Sequence, residues 1–268
     1  MKKNNKIITI IIPTRNRFLF IKKILNENKG QNKNVDIILI DDCSEINQSN
    51  KVRKYSKNFE NVKYFRLNKN RGQSYACNFG LNKSKTNYVW FFDDDDFLDK
   101  KTLLKVIIYL KKENFDAVLL PMKQIYNHKL IKFVEPIKYQ HTFKYLINSP
   151  QTVSTSCAIF NRKKILNIGG WDEKLFGGTD TDLFLRFSKN YSFSTIKTKP
   201  ISVNFAAPNR VTNNFFRQQK AKLYLLNKHW KILTLKRKIY YIISFILCFP
   251  ILNSFKTKLK ILNYKING

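Results

Sequence analysis

Four consecutive aspartates, Asp93-Asp94-Asp95-Asp96, close the apolar run Tyr88-Val-Trp-Phe-Phe92. A buried strand fixes the backbone direction, so alternate side chains share a side and Asp93 and Asp95 form a D-x-D pair. Two carboxylates on one side suit a hard divalent cation, Mg²⁺ or Mn²⁺, that bridges to a diphosphate. Such an ion neutralises the charge that develops on a departing nucleoside diphosphate. Helix capping accounts for one aspartate, not four.

Something must hold that turn in place, and the first 120 residues read as alternating strands and helices. Ile7–Ile12 and Val35–Ile40 are continuous β-branched runs, as in strands buried on both faces of a parallel sheet. Helical spacing follows from Phe18 to about Asn28, through Val52 and Tyr55, and over Gln73–Asn82; Val62–Leu67 and Tyr88–Phe92 are further strands. This alternation predicts right-handed βαβ units. Ligands of such sheets bind beyond the carboxyl ends of the strands. Three polar segments fall there: Pro13-Thr14-Arg15-Asn16-Arg17, Asp41-Asp42 and the aspartate quartet.

Beyond the quartet, Asp99 caps a helix running to about Glu113, and Asp116–Leu120 is a strand. Residues 121–150 are irregular and aromatic. Thr152–Phe160 reads as a strand of small residues, Arg162–Asn167 as a short helix, Gly169-Gly170-Trp171-Asp172 as a turn, and a further helix starts near Asp180. From Phe215 lysines become dense. Lys236-Arg237-Lys238 precedes the apolar run Ile239–Leu252, and Lys256, Lys258 and Lys260 follow it. That run is too short for a bilayer span, which needs about 20 residues. Flanked by cations, it fits a helix lying in the interface of an anionic membrane; the alternative is a helix packed on the core. Near the N-terminus, Pro13 stops the apolar run Ile7–Ile12 before a signal peptide could form, which points to the cytoplasm.

With 268 residues, 43% of them hydrophobic, the chain can bury a full core, and disorder as a whole is excluded. Its formal charge of +32 attracts polyanions. The lysines are dispersed, however, and no nucleic-acid-binding module is present, so specific nucleic-acid binding is not expected. Cys43, Cys77, Cys157 and Cys248 include no C-x-x-C pair, and His128, His141 and His229 are too scattered for a metal cluster. Oligomeric state has no signature here.

Assembled, these pieces resemble the inverting glycosyltransferases of family 2, which have the GT-A fold. The matching segments are Ile10-Ile-Ile-Pro-Thr-Arg-Asn-Arg17, Ile38-Leu-Ile-Asp-Asp-Cys-Ser44, Asn70-Arg-Gly-Gln-Ser-Tyr-Ala-Cys-Asn-Phe-Gly80, Phe91-Phe-Asp-Asp-Asp-Asp96 and Gly169-Gly-Trp-Asp-Glu-Lys-Leu-Phe-Gly-Gly-Thr-Asp-Thr-Asp-Leu-Phe-Leu-Arg186. They come in the family's order. The resemblance implies an α/β fold, Rossmann-like, with a mostly parallel central sheet flanked by helices. On this reading, residues 1–214 are the transferase domain, with a nucleotide-sugar half (1–98) and an acceptor half (99–214). Residues 215–268 are a basic, apolar helical extension.

By the same resemblance, Pro13, Thr14, Arg15, Asp41 and Asp42 line the nucleotide pocket, where a carboxylate accepts the uracil N3–H or ribose hydroxyls. Arg71, Gly72 and Asn78 belong to the donor loop, and Asp93 and Asp94 to the donor site. Asp95, with Asp93, ligates Mn²⁺ or Mg²⁺. Asp180 is the general base, with Asp182 in reserve, and Trp171, Asp172 and Asp182 face the acceptor. The implied reaction moves a sugar, most readily from a UDP-sugar, to a hydroxyl of a bacterial surface glycan or lipid-linked acceptor at the inner membrane face. Some departures weigh toward a degenerate nucleotide-binding site. Cys77 stands where the family often has Arg, and Thr179 where it often has Glu. The stretch Val203–Arg210 lacks a histidine, with Asn204 and Arg210 as substitutes.

Overall fold

The computed structural model describes residues 6–30, 33–127, 129–136, 142–149, 154–206 and 215–246. The expectations placed on Cys248, His128, His141, Arg210 and the apolar run beyond Ile246 lie outside these residues.

The β-branched runs become β1 (Ile8–Thr14) and β2 (Val35–Asp41), each with all but one side chain buried. Between them α1 (Phe18–Glu27) turns Ile21, Ile24 and Leu25 onto the sheet. Next come α2 (Ile46–Ser56), β3 (Val62–Arg66), α3 (Gln73–Lys83) and β4 (Tyr88–Phe91). The second half holds α4 (Lys100–Lys112), β5 (Ala117–Leu119), β6 (Met122–Tyr126), β7 (Lys129–Val134), α5 (Phe143–Leu146) and β8 (Ala158–Asn161). After these come α6 (Arg162–Asn167), α7 (Thr179–Ser188), β9 (Phe193–Thr195), β10 (Ile201–Asn204), α8 (Phe215–His229) and α9 (Leu235–Ile246).

Seven strands form the central sheet in the order β3-β2-β1-β4-β8-β5-β9, and only β8 runs antiparallel to its neighbours. The chain winds outward from β1 to β3, then returns to β4 on the other side of β1. That reversal opens a crevice at the carboxyl ends of β1 and β4. A small sheet, β10-β6-β7, lies at the far end of the quartet, where Phe97 bridges Ser202.

Two stretches differ from expectation. Within the small-residue strand predicted over Thr152–Phe160, the Ser154 hydroxyl accepts from Ser156 N and holds a 3₁₀ turn, Thr155–Cys157, so β8 starts only at Ala158. The illegible 121–150 stretch contains the hairpin β6–β7, whose outer strand is exposed at most positions. Toward the C-terminus, α8 buries Ala221 and Leu225 and α9 buries Tyr241 in the main core. The opposite face of α9 leaves Leu235, Ile239, Ile242, Ile243 and Phe245 exposed.

Candidate active site

The crevice between β1 and β4 is where the acidic turn sits. Burial alternates along it: Asp94 and Asp96 are buried, Asp93 and Asp95 half-buried. The inward pair is structural. Asp94 accepts from the Thr14 hydroxyl at 2.7 Å and from Arg17 at 2.7 Å, while Asp96 accepts from Asn204 N at 3.0 Å, tying the turn to β10. Burial pushes the Asp94 carboxyl up to about 6, the Asp95 charge adding to the rise and Arg17 and Thr14 opposing it. Of the outward pair, Asp93 accepts from Gln73 Nε2 at 2.6 Å and Asp95 from Arg17 Nη1 at 3.0 Å. The Ser156 hydroxyl accepts from Asp93 N at 3.0 Å, and Trp90 Nε1 donates to Ser156 O at 2.8 Å, so the turn's entry is held from below.

Arg17, the last residue of the polar segment after the first strand, is the cation paired with this turn. Arg15 is the exposed one. The left-handed Asn16 (φ 57°) lies between them, reversing the chain so that Arg17 returns over the crevice. Nothing local marked Arg17 among 50 Lys and Arg.

The expected nucleotide-facing carboxylates are engaged with the protein. Asp41 is fully buried and accepts from Ser44 N and the Tyr64 hydroxyl. Asp42 accepts from Arg71 N at 2.7 Å and Gly72 N at 2.8 Å. Through these bonds they fix the loops at the carboxyl ends of β2 and β3. Gly72, at φ 85°, takes a backbone conformation that side chains disfavour, and α3 starts from it. Exposed Arg71 stacks on Tyr75, 3.9 Å from the ring centre. Pro13 is half-buried beside Thr14 at the same strand end.

On the acceptor side, Asn78 spans α3 and the glycine turn: its Nδ2 donates to Trp171 O and its Oδ1 accepts from Trp171 N. Trp171 is buried edge-on against Phe91 at 5.2 Å, so the indole is a core aromatic and offers no stacking platform. Asp172 accepts from Tyr224 at 3.0 Å and Lys228 at 2.6 Å. Asp182 is fully buried among Arg186, Lys228 and His229, at 2.8, 2.7 and 2.8 Å. Burial alone would raise its carboxyl, but the His229 hydrogen bond and the Arg186 and Lys228 charges outweigh it and hold the carboxyl well below the usual range. That withdraws Asp182 from acceptor contact and from the role of reserve base. Lys228 and His229 are the partners sequence reading missed, because they come from 46 and 47 residues away in a lysine-rich segment.

Asp180 stays half-exposed in the first turn of α7, beyond the left-handed Gly178, and accepts from the Thr179 hydroxyl at 3.3 Å. Burial raises the thiols of Cys77 and Cys157 well above the usual range; the charges of Asp93 and Asp180 push Cys77 further up, and those of Asp96, Asp93 and Asp180 do the same to Cys157. Asn204, a proposed histidine substitute, turns its side chain to Ala206 N. Among the described residues no three His, Cys, Asp or Glu side chains gather as a metal-binding group.

Known proteins share this architecture. An uncharacterised glycosyltransferase of Methanocaldococcus jannaschii is 27% identical over 205 residues, covering 73% of this chain and 68% of its own. The poly(ribitol-phosphate) beta-N-acetylglucosaminyltransferase TarS of Staphylococcus aureus is 29% identical over 121 residues, covering 44% of this chain but only 21% of that longer protein. The structure of TarS residues 1–349 with UDP-GlcNAc superposes with a TM-score of 0.66 at 18% identity, over 89% of this chain and 73% of that one. A mannosyltransferase of Pyrobaculum calidifontis, solved with GDP-Man and Mn²⁺, gives 0.62 at 16% identity, over 90% and 70%. The family model described as glycosyl transferase family 2 matches residues 9–169, more than half of the chain, and takes in both the acidic turn and the Asn78 strut. The chain therefore belongs to glycosyl transferase family 2 and is a glycosyltransferase of GT-A fold.

Proposed function

We propose that this enzyme moves a sugar, with inversion, from a UDP-sugar to a hydroxyl of a bacterial surface glycan or lipid-linked acceptor. The observation that carries the reading is the acidic turn Asp93–Asp96 at the carboxyl ends of β1 and β4, where the strand order reverses, in a chain of glycosyl transferase family 2. Asp180 takes the proton of the acceptor hydroxyl as its oxygen attacks the anomeric carbon. The bond from that carbon to the diphosphate oxygen breaks on the opposite face, and UDP leaves with the electron pair. The Thr179 hydroxyl orients the base. Asp42 holds the Arg71–Gly72 loop ready for the donor, with Arg71 at its rim.

Asp93 and Asp95 would hold a hard dication, Mn²⁺ or Mg²⁺: both offer carboxylate oxygens two residues apart in the turn, Asp93 beside Gln73 and Asp95 beside Arg17. Such an ion supplies charge neutralisation for the leaving group. TarS, bound to UDP-GlcNAc, supports a UDP-N-acetylhexosamine as donor. The mannosyltransferase with Mn²⁺ supports the metal.

No described helix is long and apolar enough to cross a membrane. The exposed apolar face of α9, beside Lys231, Lys236 and Lys238, supports docking on an anionic membrane surface at the cytoplasmic side.

Calorimetric titration with UDP, with and without Mn²⁺ and against CMP and GDP, tests the donor. Metal-dependent binding that prefers UDP is expected; folded protein that binds no nucleotide would sink the reading. Ile239→Glu/Ile243→Glu should abolish cosedimentation with phosphatidylglycerol vesicles, and a variant that sediments like wild type would remove α9 from that role.

A further inference from the structure

The C-terminal helix α8 is built against the turn that launches Asp180. Gly177 and Gly178 form that turn, and α8 occupies the space where their side chains would be. A Cβ on Gly177 would stand 3.1 Å from Ala221 Cβ and 3.2 Å from Gln218 Nε2, and one on Gly178 would stand 2.7 Å from Leu225 Cδ1. Gln218, Ala221, Leu225 and Lys228 recur at spacings of three and four, so one stripe of α8 runs along the start of α7.

An ionic contact extends the same stripe. Lys228 Nζ sits between Asp182 Oδ1, at 2.7 Å, and Asp172 Oδ2, at 2.6 Å. His229 Nε2 reaches the same Asp182 oxygen at 2.8 Å. On the other side Arg186 joins Asp182 to the carbonyls of Ile168 and Gly170. The turn holding Asp172 is in turn tied to α3 through Asn78. One lysine of α8 thus connects the helix bearing the base to the turn that α3 anchors.

From this geometry we infer that α8 is a positioning element of the active site: Lys228 and His229, acting through Asp182, set the direction of the first turn of α7 and hence of Asp180. The inference rests on the reading of Asp180 as base. A buried carboxylate between two cations and a histidine is often no more stabilising than well-packed apolar groups, whereas its directed bonds tie α8 to α7. A misplacement of about 1 Å at a reacting group costs on the order of 10²-fold in rate. The catalytic unit on this view includes α8 and does not end at residue 214.

The test uses the full chain with Mn²⁺ and UDP-N-acetylglucosamine as probe, water serving as acceptor. UDP release then breaks the bond between the anomeric carbon and the diphosphate oxygen, forms one to water, and passes the water proton to the base. Asp180→Asn should stop release while still binding UDP. Lys228→Met should lower kcat by about 10- to 100-fold, with KM for the donor and UDP affinity unchanged, and Lys228→Arg should recover most of it. Amide hydrogen exchange over residues 179–183 should speed up in Lys228→Met and His229→Gln, and not in Lys228→Arg. An inactive Asp180→Asn beside Lys228→Met at wild-type kcat and wild-type exchange would overturn the positioning role alone. An Asp180→Asn enzyme as fast as wild type would remove the base and this inference with it.

Discussion

Two buried carboxylates, Asp94 on the donor side and Asp182 on the acceptor side, are equally hidden and electrostatically opposite. Asp94 shares a single guanidinium, Arg17, with Asp95, in a turn of four acids, and its carboxyl rises to about 6. Asp182 pairs with Arg186 and with Lys228, which it shares with Asp172, and bonds His229 as well, and its carboxyl is held low. The difference separates a place from a joint. On the donor side Asp94 and Asp95 share one guanidinium, which leaves the proposed dication a role there; on the acceptor side the contacts of Asp182 tie α7 to α8.

The sharpest way to break this comparison is to take out the acids that remain exposed. Asp180→Asn should reduce turnover by about 10²- to 10⁴-fold, read as UDP release, without lowering thermal stability. Removing the joint should do the reverse to stability. Asp182→Ala leaves Lys228, His229 and Arg186 facing each other and should cost about 3–5 kcal/mol by urea denaturation.

Acid pH sharpens the point. Because the folded-state carboxyl of Asp182 is depressed, its contribution is fully present above the unfolded value near 4 and is lost as pH falls below it. The wild type should therefore lose more stability than Asp182→Asn below about pH 4. Arg17→Met is smaller, about 2 kcal/mol, since Arg17 is partly exposed. Mn²⁺ should restore more stability to that variant than to wild type, because the metal then replaces the missing cation. Arg15→Ala, at an exposed position, should stay within about 0.5 kcal/mol in the same denaturation assay.

Legibility in the sequence followed how locally each feature is determined. β1, β2 and β4 could be read because a strand buried on both faces is an uninterrupted apolar run, and the acidic turn because nothing else in a basic chain looks like it. The hairpin β6–β7 could not: β7 is exposed at most positions and so carries no two-fold alternation. Site residues divide the same way. Asp93 and Asp95 were singled out by type and spacing, and Asp180 by its place in the segment Gly169–Arg186 that carries the resemblance. Arg17, Lys228 and His229 were not, because their roles exist only once the fold brings them across 46 to 78 residues of chain to a carboxylate, and one basic residue among so many has no local mark. Trp171 and Asp182 were assigned to the acceptor by their motif, and both side chains are buried in the core.

The central claim is that one region binds the nucleotide and the other activates the acceptor. Calorimetric titration of Asp95→Asn and Asp180→Asn with UDP and Mn²⁺ separates them most directly. The account predicts that Asp95→Asn loses metal-dependent UDP binding and that Asp180→Asn keeps wild-type affinity. Equal loss of UDP binding in both variants would contradict it.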